Sequence, residues 1–190
     1  MELKKVGIER FKQVIFTEYE KIFPEIERKS YERIVKLFNN NILEVIEIRN
    51  EEEFIGFMII NTLKNNPYAQ LDYFAILPEY QKKGYGKQAL KLLKELYKDY
   101  NGIFIEIERL GLGENKEENE IRRKRASFYE SIGCVKMGFE LELFQVIYSA
   151  YLLPCSKENF SEEEVVKKVY EIYEATAGKE RAKKNCRVLN

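Results

Sequence analysis

The sequence predicts a single mixed α/β domain, a sheet with helices on its faces. Three observations carry that expectation. Two β-rich runs, ILEVIEI (42–48) and FIGFMII (54–60), flank the acidic stretch NEEE and read as an antiparallel hairpin. Downstream, strand-like and helix-like segments follow in the order β-α-β-α-β-β, as in a sheet covered by helices. The chain of 190 residues is 45% hydrophobic and 13% aromatic, enough for one sizeable core.

Each element has its own local reason. Ile8, Phe11, Ile15, Tyr19 and Ile22 follow helical spacing, and Pro24 stops that helix. A second helix starting at Ser30 places Tyr31, Ile34, Val35 and Phe38 on one face. After the hairpin, LDYFAI (71–76) reads as a third strand. The helix beyond Gly84 and Gly86 is expected to bury Ala89, Leu93, Leu96 and Tyr100. GIFIEIE (102–108) is a further strand, and IRRKRASFYESI (121–132) a helix ended by Gly133. Two strands near 135–143 and 145–153 close the core. Past Pro154, Ser161 and Glu164 form a capping box, and Val165, Val166, Val169, Tyr170 and Tyr173 an apolar face. This tail reads as a helix docked on its own core, with a dimer contact as the alternative.

Composition removes several classes of function. Lys+Arg and Asp+Glu are both 32, so the net charge is zero and bulk electrostatic binding to nucleic acid is not expected. Histidine is absent, which removes the usual general base near neutral pH and the commonest metal ligand. Cys134, Cys155 and Cys186 are odd in number and lack C-x-x-C spacing, which suits a reduced cytoplasmic protein. The N-terminal MELKKVGIERFK has no apolar core, so no signal peptide is expected. No apolar run approaches the ~20 residues that span a bilayer.

The stretch PEYQKKGYGKQAL (78–90) concentrates the chemistry. Gly84 and Gly86 permit a tight turn and close approach of another molecule to the backbone. The amides that open the following helix lack partners, and Lys82, Lys83 and Lys87 surround them, so a phosphate or pyrophosphate is the natural guest. A Walker A loop fails, because no G-K-[ST] closes the motif. G-Y-G-K-Q-A formally satisfies the dinucleotide fingerprint, with Glu106 20 residues past Gly86. Against it, LPEYQKK separates the glycines from the strand, a hairpin precedes, and too few βα units follow. A solvated strand–turn–helix corner is the third reading.

The longer string FAILPEYQKKGYGKQAL resembles the acetyl-CoA-binding segment of the GCN5-related N-acetyltransferase (GNAT) family, with Gln81, Gly84 and Gly86 filling [QR]-x-x-G-x-[GA]. FYESIGC (128–134) resembles the family's second landmark, F-Y-x-x-x-G-F, with Cys134 in the last place. FIEIE resembles the family's fifth strand, and Glu106 falls where many members carry a glutamate. The resemblance covers residues 1–153 and leaves 154–190 as a C-terminal helical extension packed on the same domain. It implies a central mixed, mostly antiparallel sheet of about six to seven strands flanked by helices on both faces.

The same resemblance implies an acyl-CoA-dependent N-acyltransferase that moves an acetyl group from acetyl-CoA, the acyl donor, to a primary amine by direct attack, without a metal. In the family the pantetheine arm lies between splayed fourth and fifth strands, which assigns Phe74, Ala75 and Ile76 to it. Gln81 and the amides of Lys82, Lys83, Gly84, Tyr85, Gly86 and Lys87 would hold the pyrophosphate. The Ile76 amide would face the developing oxyanion. Glu106 would act as general base through water, and Tyr129 would hydrogen-bond the leaving thiolate. Glu25, Glu27 and Asp72 are candidates for the acceptor's ammonium group. The expected partner is a small-molecule amine, with neither nucleic acid nor membrane, and a homodimer is left open. Many members carry an Asn seven residues before the tyrosine. Arg122 stands there, within the basic run RRKR; Arg122 or Arg123 is a candidate for a phosphate contact, with a solvated helix start as the alternative. A catalytically idle CoA-binding sensor or interaction module is the alternative function.

Overall fold

Eight strands are hydrogen-bonded in the order β1-β2-β3-β4-β5-β7-β6-β8 in the computed structural model, which describes residues 1–156 and 160–189. They are β1 (Glu2–Val6), β2 (Leu43–Asn50), β3 (Glu53–Asn61), β4 (Tyr68–Ile76), β5 (Gly102–Glu108), β6 (Val135–Leu143), β7 (Val146–Pro154) and β8 (Cys186–Leu189). β4 and β5 run parallel, while β1–β2, β2–β3, β5–β7, β6–β7 and β6–β8 are antiparallel. The mixed, mostly antiparallel sheet is the expected one, with β1 and β8 added. Both additions are short and largely charged or exposed, ELKKV and CRVL, so neither shows an apolar alternation of its own. Each exists through the strand it pairs with.

The chain divides into two compact units, residues 1–64 with 71–93, and residues 65–70 with 94–190. In the first, the helix expected over 8–22 is widened in its middle. α1 (Ile8–Arg10) passes through a π-helical stretch (Phe11–Ile15) into α2 (Phe16–Ile22), and the Phe16 amide bonds the Phe11 carbonyl, an i→i+5 link. The wider turn keeps Phe11, Ile15 and Tyr19, each four apart, buried together. Phe23 is extended (φ −102°, ψ 134°), as the residue before Pro24 must be. Ser30 caps α3 (Tyr31–Asn39), its hydroxyl accepting from the Arg33 amide at 3.3 Å. These helices share a core with Leu43 and Val45 of β2, Phe57 and Ile59 of β3, and Tyr73 and Ala75 of β4. At the edge of that face the carboxylate of Glu47, 1% exposed, takes the Arg10 guanidinium as a fork at 2.9 and 2.6 Å. α4 (Tyr85–Leu96) buries Ala89, Leu90 and Leu93. Leu96, expected inside, is 43% exposed, and Tyr97 is buried in its stead while Tyr100 is half-buried. The buried face is thus displaced by one residue at the end of the helix.

In the second unit, the β4–β5 ladder pairs Tyr68 with Gly102, Ala69 with Ile103 and Gln70 with Phe104. β5 pairs along its whole length with β7, Glu106 opposite Ala150. One face of this sheet, with Phe104, Ala150, Leu152, Met137, Phe139 and Leu141, meets Val165, Val169 and Tyr173 of α6 (Glu162–Ala177). The Ser161 hydroxyl accepts from the Glu164 amide at 3.2 Å, the cap read from sequence. Gly178 (φ +91°) then turns the chain into α7 (Lys179–Asn185) and on to β8, antiparallel to β6. The tail is therefore helix–helix–strand rather than helix alone. α5 (Lys116–Glu130) lies towards the other face, where the Tyr151 hydroxyl donates to Glu130 at 3.2 Å. It begins five residues before the expected Ile121, because the Asn115 side chain caps it by accepting from the Glu118 amide at 2.9 Å.

Gly56 of β3 leaves no room for a side chain. A Cβ there would lie 2.3 Å from the Ala75 carbonyl oxygen, and that neighbour is backbone. Gly56→Ala is expected to cost about 1–3 kcal/mol by forcing β3 from the end of β4. Thermal unfolding should show a midpoint several degrees lower. An unchanged midpoint would mean that the end of β4 yields freely.

Candidate active site

From the end of β4 the chain passes through a 3-10 turn, Pro78–Tyr80, and reaches α4 by way of two left-handed residues, Lys82 (φ +61°) and Gly84 (φ +83°). A Cβ on Gly84 would touch nothing within 4 Å, so glycine is favoured there by conformation rather than by space. The first bond closing the helix runs from the Gln88 amide to the Gly84 carbonyl at 3.2 Å. The amides of Tyr85, Gly86 and Lys87 therefore stand at the mouth of α4 outside its internal bonding, where the helix dipole favours an anion. Lys82, Lys83 and Lys87 are exposed around them, and the Lys83 ammonium sits 5.4 Å from the centre of the Tyr80 ring. The donor set fits a pyrophosphate. Gln81, read as a ligand contact, instead donates its side-chain amide to the Ile76 carbonyl at 2.9 Å and ties the turn to the strand it left.

On β4, Tyr73 and Ala75 point into the helix-covered core, so Phe74 and Ile76 face the opposite way and are half-buried. The Leu77 amide bonds Ile55 of β3 at 2.9 Å, anchoring the strand end.

In the second unit, Glu106 shares the sheet face of Phe104 and Ala150. Its Oε1 accepts from two donors, the Gln70 side-chain amide at 2.6 Å and the Tyr173 hydroxyl at 2.6 Å. The sequence places Tyr173 only on an apolar stripe. No local signal links it to a glutamate 67 residues away.

Tyr129 lies near the end of α5 and is buried, with its ring 5.2 Å from Phe128 in edge geometry. Burial pushes its phenol well above the ordinary value, against a smaller opposing effect of Arg125. Such a phenol keeps its proton and donates a hydrogen bond, and full proton transfer to a thiolate is disfavoured. Its carbonyl accepts from the Cys134 amide at 3.2 Å across the turn at Gly133 (φ +95°). Burial pushes the Cys134 thiol up to about 12.

Asp72, read as a partner for an ammonium group, is already paired with Lys29 at 2.6 Å, the two side chains 13% and 22% exposed. Glu25 and Glu27 are exposed on a 3-10 turn. That turn is held from beneath, because the Tyr73 hydroxyl donates to the Glu27 carbonyl at 2.6 Å and the Lys29 amide donates to the Tyr19 hydroxyl at 2.7 Å. Arg122 is buried and donates to the Arg109 carbonyl at 3.0 Å, to Glu108 at 3.1 Å and to the Glu118 carboxylate. It braces the loop ahead of α5 and is not presented to a phosphate. Arg123 is paired with Glu120.

The family model described as "Acetyltransferase (GNAT) family" matches residues 9–122. The chain belongs to that family. Among solved structures, a GNAT-family protein from Bacteroides thetaiotaomicron superposes with TM-score 0.76 at 18% identity, over 94% of this chain and 99% of the other. The ribosomal-protein-S18-alanine N-acetyltransferase of Escherichia coli gives 0.58 at 16%, over 83% and 96%. The spermidine N-acetyltransferase of Vibrio cholerae, in complex with CoA and spermine, gives 0.58 at 16%, over 80% and 95%. No curated protein matches the sequence. Among the described residues no helix is long and apolar enough to cross a membrane, and no cluster of three or more His, Cys, Asp or Glu side chains is placed to hold a metal ion.

The perturbed groups fix a pH dependence. Burial raises the Cys134 thiol to about 12, the Cys155 thiol to about 11, and the Tyr19 and Tyr151 phenols to about 12. The folded state prefers the protonated form of each. Their stabilisation is complete below the ordinary values of 9 and 10 and is lost as pH rises towards 11–12. Urea midpoints should stay level between pH ~7 and ~8.5 and fall steadily from pH ~9 upwards. A level profile through pH ~11 would contradict the burial of these groups.

Proposed function

We propose that the protein is an acyl-CoA-dependent N-acyltransferase that moves an acetyl group from acetyl-CoA to a primary amine of a small molecule. The observation that carries the reading is the left-handed turn at Gly84 opening onto the Tyr85, Gly86 and Lys87 amides, in a chain of the GNAT family. Backbone along Phe74, Ala75 and Ile76 would hold the pantetheine arm, the amides from Lys82 to Lys87 the pyrophosphate, and the exposed lysines further phosphate charge. Solved neighbours described as spermidine N-acetyltransferases support a small amine as acceptor.

Acetyl-CoA supplies the acyl group as a thioester. In the transfer a C–N bond forms and the C–S bond breaks, the amine gives up a proton, and the sulfur leaves with the electron pair. Glu106 takes the amine's proton through a water. The Ile76 amide donates to the carbonyl oxygen as charge gathers there. Tyr129, with its proton firmly held, donates a hydrogen bond to the departing sulfur. Glu25 and Glu27 are carboxylates exposed where a cationic acceptor could meet them, whereas Asp72 would take part only by exchanging Lys29 for the acceptor's ammonium group. Residues 154–190 complete the same catalytic domain. The three free cysteines, buried or half-buried, suit the cytoplasm.

One observation favours a second reading, a CoA-binding sensor without turnover: Glu106 is already engaged by two donors. Both readings predict stabilisation by acetyl-CoA, about 2.7 kcal/mol at a hundredfold excess over Kd. Gly84→Val, a β-branched residue at φ +83°, should abolish most of that shift. Only the enzyme releases free thiol with a panel of polyamines, aminoglycosides, amino acids and peptide N-termini. With an active amine, Tyr129→Phe should lower kcat roughly tenfold and leave KM for acetyl-CoA within about twofold. An unchanged kcat would remove Tyr129 from the mechanism.

A further inference from the structure

Tyr173 belongs to α6, more than fifty residues past the end of the family match at 122, yet its hydroxyl lies 2.6 Å from the carboxylate assigned above as general base. The phenol is 6% exposed, among Phe104, Met137, Phe139, Val165 and Val169, and has little freedom to turn away. Gln70, itself 5% exposed, donates to the same oxygen at 2.6 Å. Two buried donors from different elements converge on Oε1 of one half-buried carboxylate and fix how its plane is set on β5.

We propose that Tyr173 is the positioning residue of the base: a side chain from the C-terminal extension orients Glu106 for proton removal, so the extension is a working part of the catalytic machinery. The proposal rests on Glu106 acting as the base. A hydrophobic anchor alone would not call for the hydroxyl, since a phenylalanine would pack the same stripe of α6. An oxygen this buried is retained where it has a partner, and the partner is the one carboxylate of β5 to which chemistry is assigned. A phenol and a carboxamide are both neutral donors, so they set Glu106 by hydrogen bonds and add no charge of their own. The ionisable groups near it include Cys186 of β8, whose thiol is raised by burial first and then by the charge of Glu106, and Glu108 two residues along β5, paired with Arg122 and Arg125. Arg181 of α7 lies close enough to Cys186 to oppose that rise.

The test is a double-mutant cycle on the full chain with Tyr173→Phe and Glu106→Gln, using an amine found active in the panel. Glu106→Gln should lower kcat by about a hundredfold or more. Tyr173→Phe should lower kcat about tenfold with KM for acetyl-CoA within about twofold, while the melting midpoint falls by only a few degrees for the lost donor, leaving the protein folded at the assay temperature. The double variant should match Glu106→Gln alone, because a residue acting through Glu106 has nothing left to act on. A readout free of turnover accompanies these. In unliganded protein carrying ¹³C-labelled glutamate, the Glu106 carboxyl of Tyr173→Phe should titrate at higher pH than in the unaltered protein, since the charged form has lost a donor. Unchanged kcat and unchanged titration in Tyr173→Phe overturn the proposal while Glu106 stays the base. A double variant slower than Glu106→Gln overturns it too, by showing that Tyr173 acts elsewhere. Full activity in Glu106→Gln sinks the reading of the base itself, a separate failure visible in that single variant.

Discussion

A carboxylate on a sheet face that a helix covers must be met by donors, or its desolvation penalises the fold. Much of the second unit is arranged so that Glu106 is met. α6 has to lie with Tyr173 over β5, and Val165 and Val169, eight and four residues earlier, lie on the same stripe and pack against the same strands. The register of α6 is thus set by apolar packing and polar satisfaction together. The first unit meets the same difficulty at Glu47 and answers it differently, with a guanidinium fork from Arg10. An arginine cancels the charge it binds. The phenol and carboxamide that hold Glu106 are neutral, so they orient the carboxylate and keep it in its charged form, the form that the base proposed above requires.

The anion site proposed at the mouth of α4 would depend on backbone rather than on side chains. Lys82 and Gly84 both take left-handed conformations, and the chain so bent delivers three helix-opening amides into one place. Gln81 holds the bend by reaching back to Ile76, and Gly56 allows β3 to approach the segment from which the bend departs. None of these three features needs the lysines, whose contribution is charge at the rim. Positioning by peptide groups and attraction by exposed cations are separate functions, carried by separate atoms of the same seven-residue stretch.

What the sequence reveals is what is local. Ser30 and Ser161 cap helices because a hydroxyl three residues from a free amide is a short-range arrangement, and the hairpin of β2 and β3 follows from two β-rich runs, 42–48 and 54–60, parted by an acidic turn. The left-handed turn at Gly84 is legible for the same reason. β1, β8 and α7 are not, since the two strands make their backbone bonds with distant partners and α7, KERAKKN, buries Ala182 without an apolar face. Leu96 and Tyr97 differ by one position on a helix end, a shift too small for periodicity to resolve. Arg122 reads as part of a solvated basic run, yet it is buried by carboxylates and a carbonyl from the loop ahead of it. The pairing of Tyr173 with Glu106 spans 67 residues and has no signature short of the folded chain.

That last pairing bears on what the tail is for. A segment that merely decorated the domain would leave β6 as an edge strand and its apolar face to be covered by other means. Instead β8 pairs with β6 from Leu143 to Glu140, which moves the open edge there from β6 to a short strand of four residues. α6 and α7 bring Val165, Val169, Tyr173 and Ala182 onto the face that Phe104, Phe139 and Leu152 present. Phe104 and Glu106 are alternate residues of one strand, so the cover that buries the first must come to terms with the second. A purely apolar helix would strand the carboxylate, and a purely polar one would leave the phenylalanine wet. Tyr173 meets both demands with one side chain, its ring against the core and its hydroxyl on Oε1. The extension therefore completes the hydrophobic core and sets the carboxylate in the same act, and neither task can be assigned to it without the other.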